Sequence, residues 1–400
     1  MRRGRTCSGR TPRQFAKEKN HEFDTGVPQQ ARRPARGTAA LVAGLGPAGR
    51  TDADVRIPDR TRSPLPALTP AQRAGQCVIH SYPGPTPPAR LMDAIGQGRT
   101  AGVIFFGENI ESPSRIEGVI REMNEANASA PVEAPLLLMT DQEGGMVRRL
   151  PGEPLLSAKD VGASADPEGR AEYTGNGAGL NLAGVGMNVN LAPVLDVYRR
   201  TGDFTDQYER SYGKRPEAVG ACGSAFITAQ QNVGVAATAK HFPGLGPAAA
   251  NQNTDLGPVT LTTSAATLRG IDEVPYRAAI SAGTKLVMLS WAVYPALDAD
   301  RPAGLSPTVV GELRDRLGFR GVTVTDALEA GALQSYGGAA RRAVLAAAAG
   351  MDLILCSARD VDQGDEAVTA LSEALADGTL DGTAFDAAAG RGNALRGSLF

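Results

Sequence analysis

From about Leu68 onward, short apolar runs alternate with longer amphipathic segments. The runs are β-like, and most of them end in polar residues. They are CVIH (77–80), VIFF (103–106), LLLM (136–139), MNVNL (187–191), VAATA (235–239), LVML (286–289), VTVT (322–325) and LILC (353–356). Each run has the length and composition of a short strand, so the pattern predicts eight strands with helices between them.

The segments between the runs carry the start and stop signals of helices. In SPTVVGELRDRLG, Ser306 is the predicted N-cap, Pro307 suits the first helical position, and the apolar stripe ends at Gly318. The segment from Pro216 repeats this design and stops at Gly234. Alternating strands and helices predict a parallel sheet, and eight units favour a closed (β/α)8 barrel over an open doubly wound sheet. The first runs also lack the GxGxxG of a dinucleotide-binding sheet.

The first 66 residues differ in composition from the rest of the chain. Clusters of Arg, Pro, Gly and Thr without a hydrophobic period predict a disordered or processed leader at 1–66, before one barrel domain at 67–400. The leader has one apolar run, TAALVAGLG (38–46), which follows three arginines as in a secretory signal. This run lies far from Met1, so it is either a targeting segment or a small-residue linker. The pattern favours export or the cell envelope over the cytoplasm.

Composition and charge narrow the possible partners. The net charge is −2, but residues 1–62 carry 14 Lys+Arg and 6 Asp+Glu, whereas the rest carries 27 and 37. The basic leader lacks interleaved aromatic residues and the acidic body has no basic stripe, so we do not expect a nucleic-acid partner. No run approaches the roughly 18 apolar residues of a membrane span. The four cysteines show no CxxC spacing, which speaks against a metal site or a disulfide framework. The oligomeric state stays open.

Polar residues follow most of the runs, at the end where a barrel carries its active site. They are Glu108 and Asn109, then Asp141, Gln142 and Glu143, then Asp196, then Lys240 and His241, then Ser290 and Trp291, then Asp326, and finally Ser357. Carboxylates, a lysine, a histidine and a tryptophan at one mouth suit a sugar, which needs polar partners for its hydroxyls and a flat apolar surface for its ring. For any single Asp, the alternative is a cap on the next helix.

Several of these residues also have a structural interpretation. Two glycines follow Glu143, which favours a turn over substrate contact. Asp196 either holds a loop through backbone hydrogen bonds or faces the ligand. His80, near the end of the first run, is expected to be an interior histidine. Trp291, the only tryptophan, is either a stacking platform or packing at the barrel mouth.

Five segments are recognisable by their order and spacing. They are TDQEGGMVRRLPG (140–152), NVNLAPVLDV (188–197), ERSYGKRPEAV (209–219), AKHFPGLG (239–246) and GVTVTDAL (321–328). Together they closely resemble the single-barrel branch of glycoside hydrolase family 3, which contains bacterial β-N-acetylhexosaminidases. The resemblance covers roughly residues 68–360. It implies retaining hydrolysis of a β-linked N-acetylhexosaminide, such as a cell-wall or chitin-type saccharide, without a metal or an organic cofactor.

The resemblance also assigns roles to individual residues. Asp326 resembles the nucleophile that attacks the anomeric carbon and forms a glycosyl-enzyme intermediate. Asp141 resembles the residue that binds sugar hydroxyls. The remaining sugar contacts of the family match Arg149, Arg210, Lys240 and His241. A Lys-His pair at a strand end is also an ordinary surface feature.

The loop after KHFPG departs from the family pattern. The hexosaminidase branch has KHFPGHG and then an Asp-x-His pair, whose His resembles a general acid/base. In this chain Leu245 stands at the first His, and Asn251 and Asn253 stand at the pair. Asn does not exchange a proton near neutral pH, and acid assistance is typically worth about 10² to 10⁴ in rate.

Two classes of function follow from this departure. In the first, the protein is a retaining glycosidase whose acid is another group: Asp255 is nearest in sequence, and Glu108 and Glu209 are alternatives. In the second, it is a sugar-binding barrel or a weak enzyme. A β-glucosidase-type specificity also stays open, because the choice of sugar rests on the resemblance alone.

Overall fold

The computed structural model describes residues 68–399. The leader predicted for residues 1–66, its apolar run at 38–46 and Cys7 lie outside the described residues. The division between leader and barrel domain therefore stays a prediction.

The centre of the fold is a ring of eight parallel strands. In chain order they are β1 (Val78–His80), β2 (Gly102–Ile104), β3 (Leu137–Thr140), β4 (Val189–Asn190), β5 (Ala236–Phe242), β6 (Leu286–Leu289), β7 (Val322–Thr325) and β8 (Ile354–Leu355). Each strand pairs in parallel with its neighbours in sequence, and β1 pairs with β8 as well as with β2. All eight strands fall on the apolar runs, which confirms that prediction.

The seam between β7 and β8 closes the ring. Val324 and Leu353 form a parallel bridge, in which Thr325 N donates to Leu353 O (3.0 Å) and Leu353 N donates to Thr323 O (2.9 Å). At the start of β8, the buried Asp352 accepts from Thr323 N (2.8 Å) and from the guanidinium of Arg314 (2.5 Å). The predicted (β/α)8 barrel is therefore confirmed over the described residues.

Helices and short turns surround the ring and connect the strands. The α-helices are Pro70–Gly75, Ala89–Gly96, Pro113–Asn127, Ala158–Gly162, Pro167–Ala183, Phe204–Gln207, Pro216–Asn232, Ala265–Thr267, Val274–Ser281, Pro307–Gly311, Ala339–Ala348, Val361–Ala376 and Gly382–Ser398. Wider π-type turns follow at Leu268–Asp272 and Glu312–Arg316, and 3-10 turns form at Gly107–Asn109, Ala303–Leu305 and Gly331–Tyr336. Two short hairpins lie outside the barrel: Gln142–Gly144 pairs with Val147–Arg148, and Val293–Tyr294 pairs with Asp298–Pro302.

The predicted helix signals operate as expected. The Ser306 side chain accepts from Val309 N (3.2 Å), with Pro307 at the first helical position. The helix from Pro216 ends before Gly234, which has φ +85°. A left-handed φ of this kind suits glycine and stops the helix.

Side chains along each strand alternate between the inside of the barrel and the layer between the strands and the helices. In β6, Leu286 and Met288 belong to the apolar cluster inside the ring, whereas Val287 and Leu289 belong to the layer under the helices. Side chains on successive strand residues point to opposite faces, so a residue's parity along the strand decides which face it joins. The inside is a packed core, as in other barrels of this type.

Two further expectations concern the burial of the cysteines and the absence of a membrane-spanning helix. Cys77, Cys222 and Cys356 are free and buried, as their apolar surroundings predict. Within residues 68–399, no helix combines the length and the apolar character needed to cross a bilayer.

Candidate active site

Strand parity places three polar residues at the barrel mouth. Asp141 and Asp326 lie two positions after the inward-facing Met139 and Val324, and Lys240 lies four positions after the inward-facing Ala236. They line a cavity of about 490 Å³ at the carboxyl ends of the strands. The residues to which the resemblance assigns a role line this one cavity together with the acid candidate Asp255: Asp141, Arg149, Arg210, Lys240, His241 and Asp326.

A buried carboxylate behind the cavity holds two of its cations. Glu143 accepts from Arg210 through both oxygens, with 2.8 Å to Nε and 2.8 Å to Nη2. Its Oε1 also lies 2.7 Å from Lys240 Nζ, which in turn donates to Asp141 Oδ1 (2.7 Å). The Glu143 side chain is only 5% exposed, so this is a buried ionic cluster with matched charges.

Charge balance within this cluster keeps Glu143 and Lys240 ionised. Burial alone raises the pKa of Glu143, but the charges of Arg210 and Lys240 outweigh it and hold that pKa far below its ordinary value. Burial lowers the pKa of Lys240, and the charges of Asp141 and Glu143 more than reverse this, so the pKa of Lys240 is raised. The lysine therefore reaches the cavity as a fixed cation and hydrogen-bond donor.

His241 is oriented from both sides of its ring. Nδ1 lies 2.8 Å from Asp196 Oδ2, and Nε2 lies 3.4 Å from Arg210 Nη2. Because a guanidinium only donates, Nε2 accepts and the proton of the neutral ring is on Nδ1. Asp196 is fully buried and also accepts from Leu245 N (2.6 Å). The sequence allowed Asp196 either to hold a loop through backbone hydrogen bonds or to face the ligand. The structure confirms the first of these.

Arg149 brings a second guanidinium to the cavity. Its main-chain N donates to Asp141 O (3.3 Å) and to Gln142 Oε1 (3.1 Å), which fixes the backbone beside the hairpin. Its Nε is buried and has no hydrogen-bond partner within the described chain. A buried donor without a partner is costly, so this group suits a ligand that supplies an acceptor.

Asp326 follows β7 directly and is half-buried at the cavity floor. Its Oδ1 accepts from Ala327 N (2.8 Å), and the carbonyl of Ala327 accepts from Trp291 Nε1 (2.8 Å). Trp291 is 1% exposed and does not line the cavity. It therefore packs beneath the strand-end loop and steadies the backbone next to Asp326, and the stacking-platform interpretation is wrong.

The loop that departs from the family pattern brings Asp255 to the cavity. Asn253 also lines the cavity, and its Oδ1 accepts from Asp255 N (2.8 Å). Two backbone hydrogen bonds fasten the loop to the segment after β7: Gly331 N donates to Asp255 O (2.9 Å), and Ala332 N donates to Thr254 O (2.9 Å). The loop is thus tied to the segment that follows Asp326.

Asp255 has the electrostatic environment of a proton donor. Partial burial at the cavity rim and, next, the negative charge of Asp326 raise the pKa of Asp255 above its ordinary value. The other two acid candidates do not line the cavity: Glu108 is half exposed beside Arg359, and Glu209 is exposed on a turn with φ +58°. Of the three acid candidates from the sequence, Asp255 is therefore the one that lines the cavity.

Two further interpretations are also settled. Gly144 and Gly145 have φ +108° and +54° and form the hairpin turn, but Glu143 contributes its side chain to the ionic cluster as well. His80 is fully buried, as expected, with Nδ1 2.9 Å from Thr100 Oγ1 and Nε2 3.5 Å from Asp365 Oδ1. Across residues 68–399, no group of three or more His, Cys, Asp or Glu side chains is arranged to hold a metal ion.

Sequence reasoning missed other residues of the cavity. Phe106, Glu329 and Arg359 line it together with Ser357. Phe106 is the last residue of the apolar run 103–106, which continues past the end of β2. Glu329 and Arg359 each come four residues after the end of a strand, β7 and β8, so the strand-end rule reaches them only beyond the first polar residue.

Comparison with known proteins agrees with this geometry. The family described as "Glycosyl hydrolase family 3 N terminal domain" matches residues 79–393. The chain belongs to this family. A protein of Arthroderma benhamiae named "Uncharacterized secreted glycosyl hydrolase" is 45% identical over 340 residues, which cover 84% of this chain and 96% of that protein. A "Beta-hexosaminidase" of Stenotrophomonas maltophilia is 33% identical over 291 residues, covering 70% and 83% of the two chains.

Solved family 3 structures share the fold. A β-N-acetylglucosaminidase from Paenibacillus is 33% identical with a TM-score of 0.77, and the match covers 83% of this chain. This chain spans only 63% of that longer protein. A β-N-acetylhexosaminidase from Beutenbergia cavernae is also 33% identical, with a TM-score of 0.73 over 82% of this chain and 99% of that chain.

Proposed function

We propose that this family 3 protein is a retaining glycoside hydrolase that acts on β-linked N-acetylhexosaminides, with Asp326 as the nucleophile and Asp255 as the general acid/base. The observation that carries the proposal is the pair of carboxylates on one cavity in unlike environments. Asp326 directly follows β7 and is half-buried, whereas Asp255 lies on the loop after β5, is more exposed and has a raised pKa. Two carboxylates whose environments differ are suited to separate roles as nucleophile and acid.

The reaction has two steps. In the first, an Asp326 oxygen bonds to the anomeric carbon as the glycosidic bond breaks, and the Asp255 proton passes to the departing oxygen, so the leaving group departs as an alcohol. In the second, ionised Asp255 takes a proton from water, whose oxygen bonds to the anomeric carbon and releases Asp326 as a carboxylate. The free sugar leaves with the β configuration.

The cationic wall holds the sugar that is retained on the enzyme. Asp141 and Lys240 offer an acceptor and a donor 2.7 Å apart, which suits neighbouring hydroxyls. Arg149 and Arg210 add guanidinium donors, and His241 also lines this wall. The choice of an N-acetylhexosamine is supported by the relatives named above, which include a β-hexosaminidase and a β-N-acetylglucosaminidase.

A screen of 4-nitrophenyl β-glycosides tests sugar class and activity together. We expect the N-acetylglucosaminide to be cleaved in preference to the glucoside, with Asp326→Ala abolishing turnover while the protein stays folded. Rapid mixing with an activated aryl glycoside is expected to show a burst of 4-nitrophenol in Asp255→Asn, because an activated leaving group needs little acid assistance. If the wild-type protein binds N-acetylglucosamine but releases no 4-nitrophenol from any glycoside, it is a sugar-binding barrel. Preference for the glucoside would instead support the β-glucosidase alternative.

A further inference from the structure

One wall of the cavity carries side chains that the proposed mechanism does not use. Phe106 follows β2, Glu329 follows β7, and Ser357 and Arg359 follow β8. In the ring, β7, β8, β1 and β2 are consecutive, whereas the cations of the retained sugar's wall lie after β3, after β4 and at the end of β5. The two sets of residues therefore occupy different sides of the mouth.

Arg359 is held in place at this wall. Its guanidinium carbon lies 4.6 Å from the centre of the Phe106 ring, and its main-chain N donates to Ser81 Oγ (2.9 Å). Its φ is +58°, a region that costs a non-glycine residue energy and recurs at ligand clamps. Within residues 68–399 its carboxylate neighbour is Glu108, at 3.8 Å from Nε, which is too far for a hydrogen bond. The stacked guanidinium thus keeps donors for a ligand.

Glu329 supplies the complementary acceptor. Its Oε1 accepts from Ser357 Oγ (2.9 Å) and its Oε2 lies 3.3 Å from Gln363 Nε2. A carboxylate has about four acceptor positions, so Glu329 retains acceptor capacity toward the cavity that it lines.

The position of this wall relative to Asp255 indicates which part of the substrate the wall contacts. Gly331, whose N–H holds the Asp255 carbonyl, comes two residues after Glu329. The charge of Glu329 also contributes to the raised pKa of Asp255, so the two carboxyl groups interact electrostatically. Because a general acid must reach the glycosidic oxygen, the departing group lies beside Asp255, whose loop is hydrogen-bonded to the segment that carries Glu329.

We propose that Phe106, Glu329, Ser357 and Arg359 form a binding site for a second sugar residue on the leaving-group side of the scissile bond. This inference rests on the proposed function and narrows its substrate to oligosaccharides. Carboxylate, hydroxyl and guanidinium groups pair with sugar hydroxyls, and the guanidinium plane over Phe106 offers a flat surface to a sugar ring. A purely apolar leaving group would desolvate these polar groups without replacing their hydrogen bonds, which is unfavourable.

The kinetic test compares two leaving groups. The substrates are the β-1,4-linked disaccharide of N-acetylglucosamine and methyl N-acetyl-β-glucosaminide, whose leaving groups both need acid assistance. We expect Arg359→Gln and Glu329→Gln each to lower kcat/KM on the disaccharide by about tenfold or more, since hydrogen bonds to charged groups are lost. Hydrolysis of the methyl glycoside, which has no second sugar, is expected to fall much less than that of the disaccharide.

Arg90→Gln is the matched control. The Arg90 side chain is 51% exposed, close to the 54% of Arg359, but it pairs with Asp362 and does not line the cavity. It is expected to leave both substrates unaffected. Equal losses on both substrates in Arg359→Gln and Glu329→Gln, or no loss on either, would overturn the second sugar site.

A binding measurement separates this inference from the proposed function. Calorimetry on Asp326→Ala is expected to show tighter binding of the disaccharide than of N-acetylglucosamine, and adding Arg359→Gln is expected to remove the difference. If the wild-type protein hydrolyses neither substrate but this difference is present, the proposed function fails and the second sugar site stands. If the two sugars bind equally well to Asp326→Ala, the second sugar site is wrong whatever the hydrolysis results.

Discussion

Asp255 is the residue that replaces the missing histidine in the proposed mechanism. Its raised pKa keeps the carboxyl protonated, the form that donates a proton, to a higher pH than that of an ordinary aspartate. The contact with Asn253 fixes the backbone that carries it. The departure from the family pattern thus exchanges an imidazole for a carboxyl group held in a turn.

We predict that Asp255→Asn lowers the rate on alkyl glycosides by about 10² or more, the lower end of acid assistance, while 4-nitrophenyl glycosides lose much less. In the wild type, the rate on alkyl glycosides is expected to fall as pH rises through the pKa of Asp255, because the proton donor is then lost. Steady-state kinetics across leaving groups and pH measure both effects. An unchanged dependence on leaving-group pKa in Asp255→Asn would exclude Asp255 as the acid.

Glu143 acts through its neighbours rather than on the substrate. It is buried, does not line the cavity, and holds Arg210 and Lys240 within 2.8 Å. Replacing it with Gln removes the charge that balances these two cations and loosens their orientation. Because both cations face the retained sugar, the effect does not depend on the leaving group.

We predict that Glu143→Gln lowers kcat/KM by about tenfold or more, equally for alkyl and 4-nitrophenyl glycosides, and that KM rises. The control is Glu312→Gln, which removes a carboxylate paired with Arg269 and Arg316 outside the cavity. This control is expected to lower the melting temperature without changing KM. A loss restricted to alkyl glycosides in Glu143→Gln would show that Glu143 acts on proton transfer instead.

At the scale of elements, the loop with Asp255 is fastened to the segment after β7 by backbone contacts. The two segments approach each other closely at Gly331, because a Cβ added there would lie 2.5 Å from the main-chain carbon of Leu256. Backbone atoms at that distance must shift, so only glycine fits without moving the loop. The position of the acid therefore depends on a residue that has no reactive group of its own.

We predict that Gly331→Ala displaces the loop and reduces hydrolysis of alkyl glycosides more than that of 4-nitrophenyl glycosides, in the same direction as Asp255→Asn. Gly338→Ala is the control, because an added Cβ there meets no heavy atom within 4 Å and its φ of −78° suits any residue. Kinetics on both substrate classes and the melting temperature distinguish the variants. Equal losses on both classes in Gly331→Ala would mean that the loop positions more than the acid.

At the scale of the whole molecule, closure of the barrel depends on a buried ionic group at the β7–β8 seam. Asp352 is fully buried and accepts from Arg314 (2.5 Å) and from Arg391 (2.7 Å), which belongs to the C-terminal helix. It also accepts from the backbone of β7 through Thr323 N (2.8 Å). One carboxylate therefore joins the last two strands and the last helix of the chain.

We predict that Asp352→Asn destabilises the fold by about 3–5 kcal/mol, because two guanidinium groups lose their buried counter-charge. Denaturant unfolding measures this loss, and KM for the variant that remains folded is expected to be unchanged. Asp386→Asn is the control, since Asp386 is 59% exposed and pairs with Arg73 at the surface. If Asp352→Asn unfolds at the same denaturant concentration as the wild type, the seam does not depend on this group.

The sequence by itself determined the eight strands, their order and the residues at their ends. Apolar runs and helix caps are local signals, and strand alternation then places Asp141, Lys240 and Asp326 at the mouth. The tertiary structure alone decided which distant side chains meet. Glu143 and Arg210 are 67 positions apart, and the contact between Asp255 and Gly331 joins two loops without periodicity. Loop paths are set by packing and backbone hydrogen bonds across the molecule, so no local pattern encodes them.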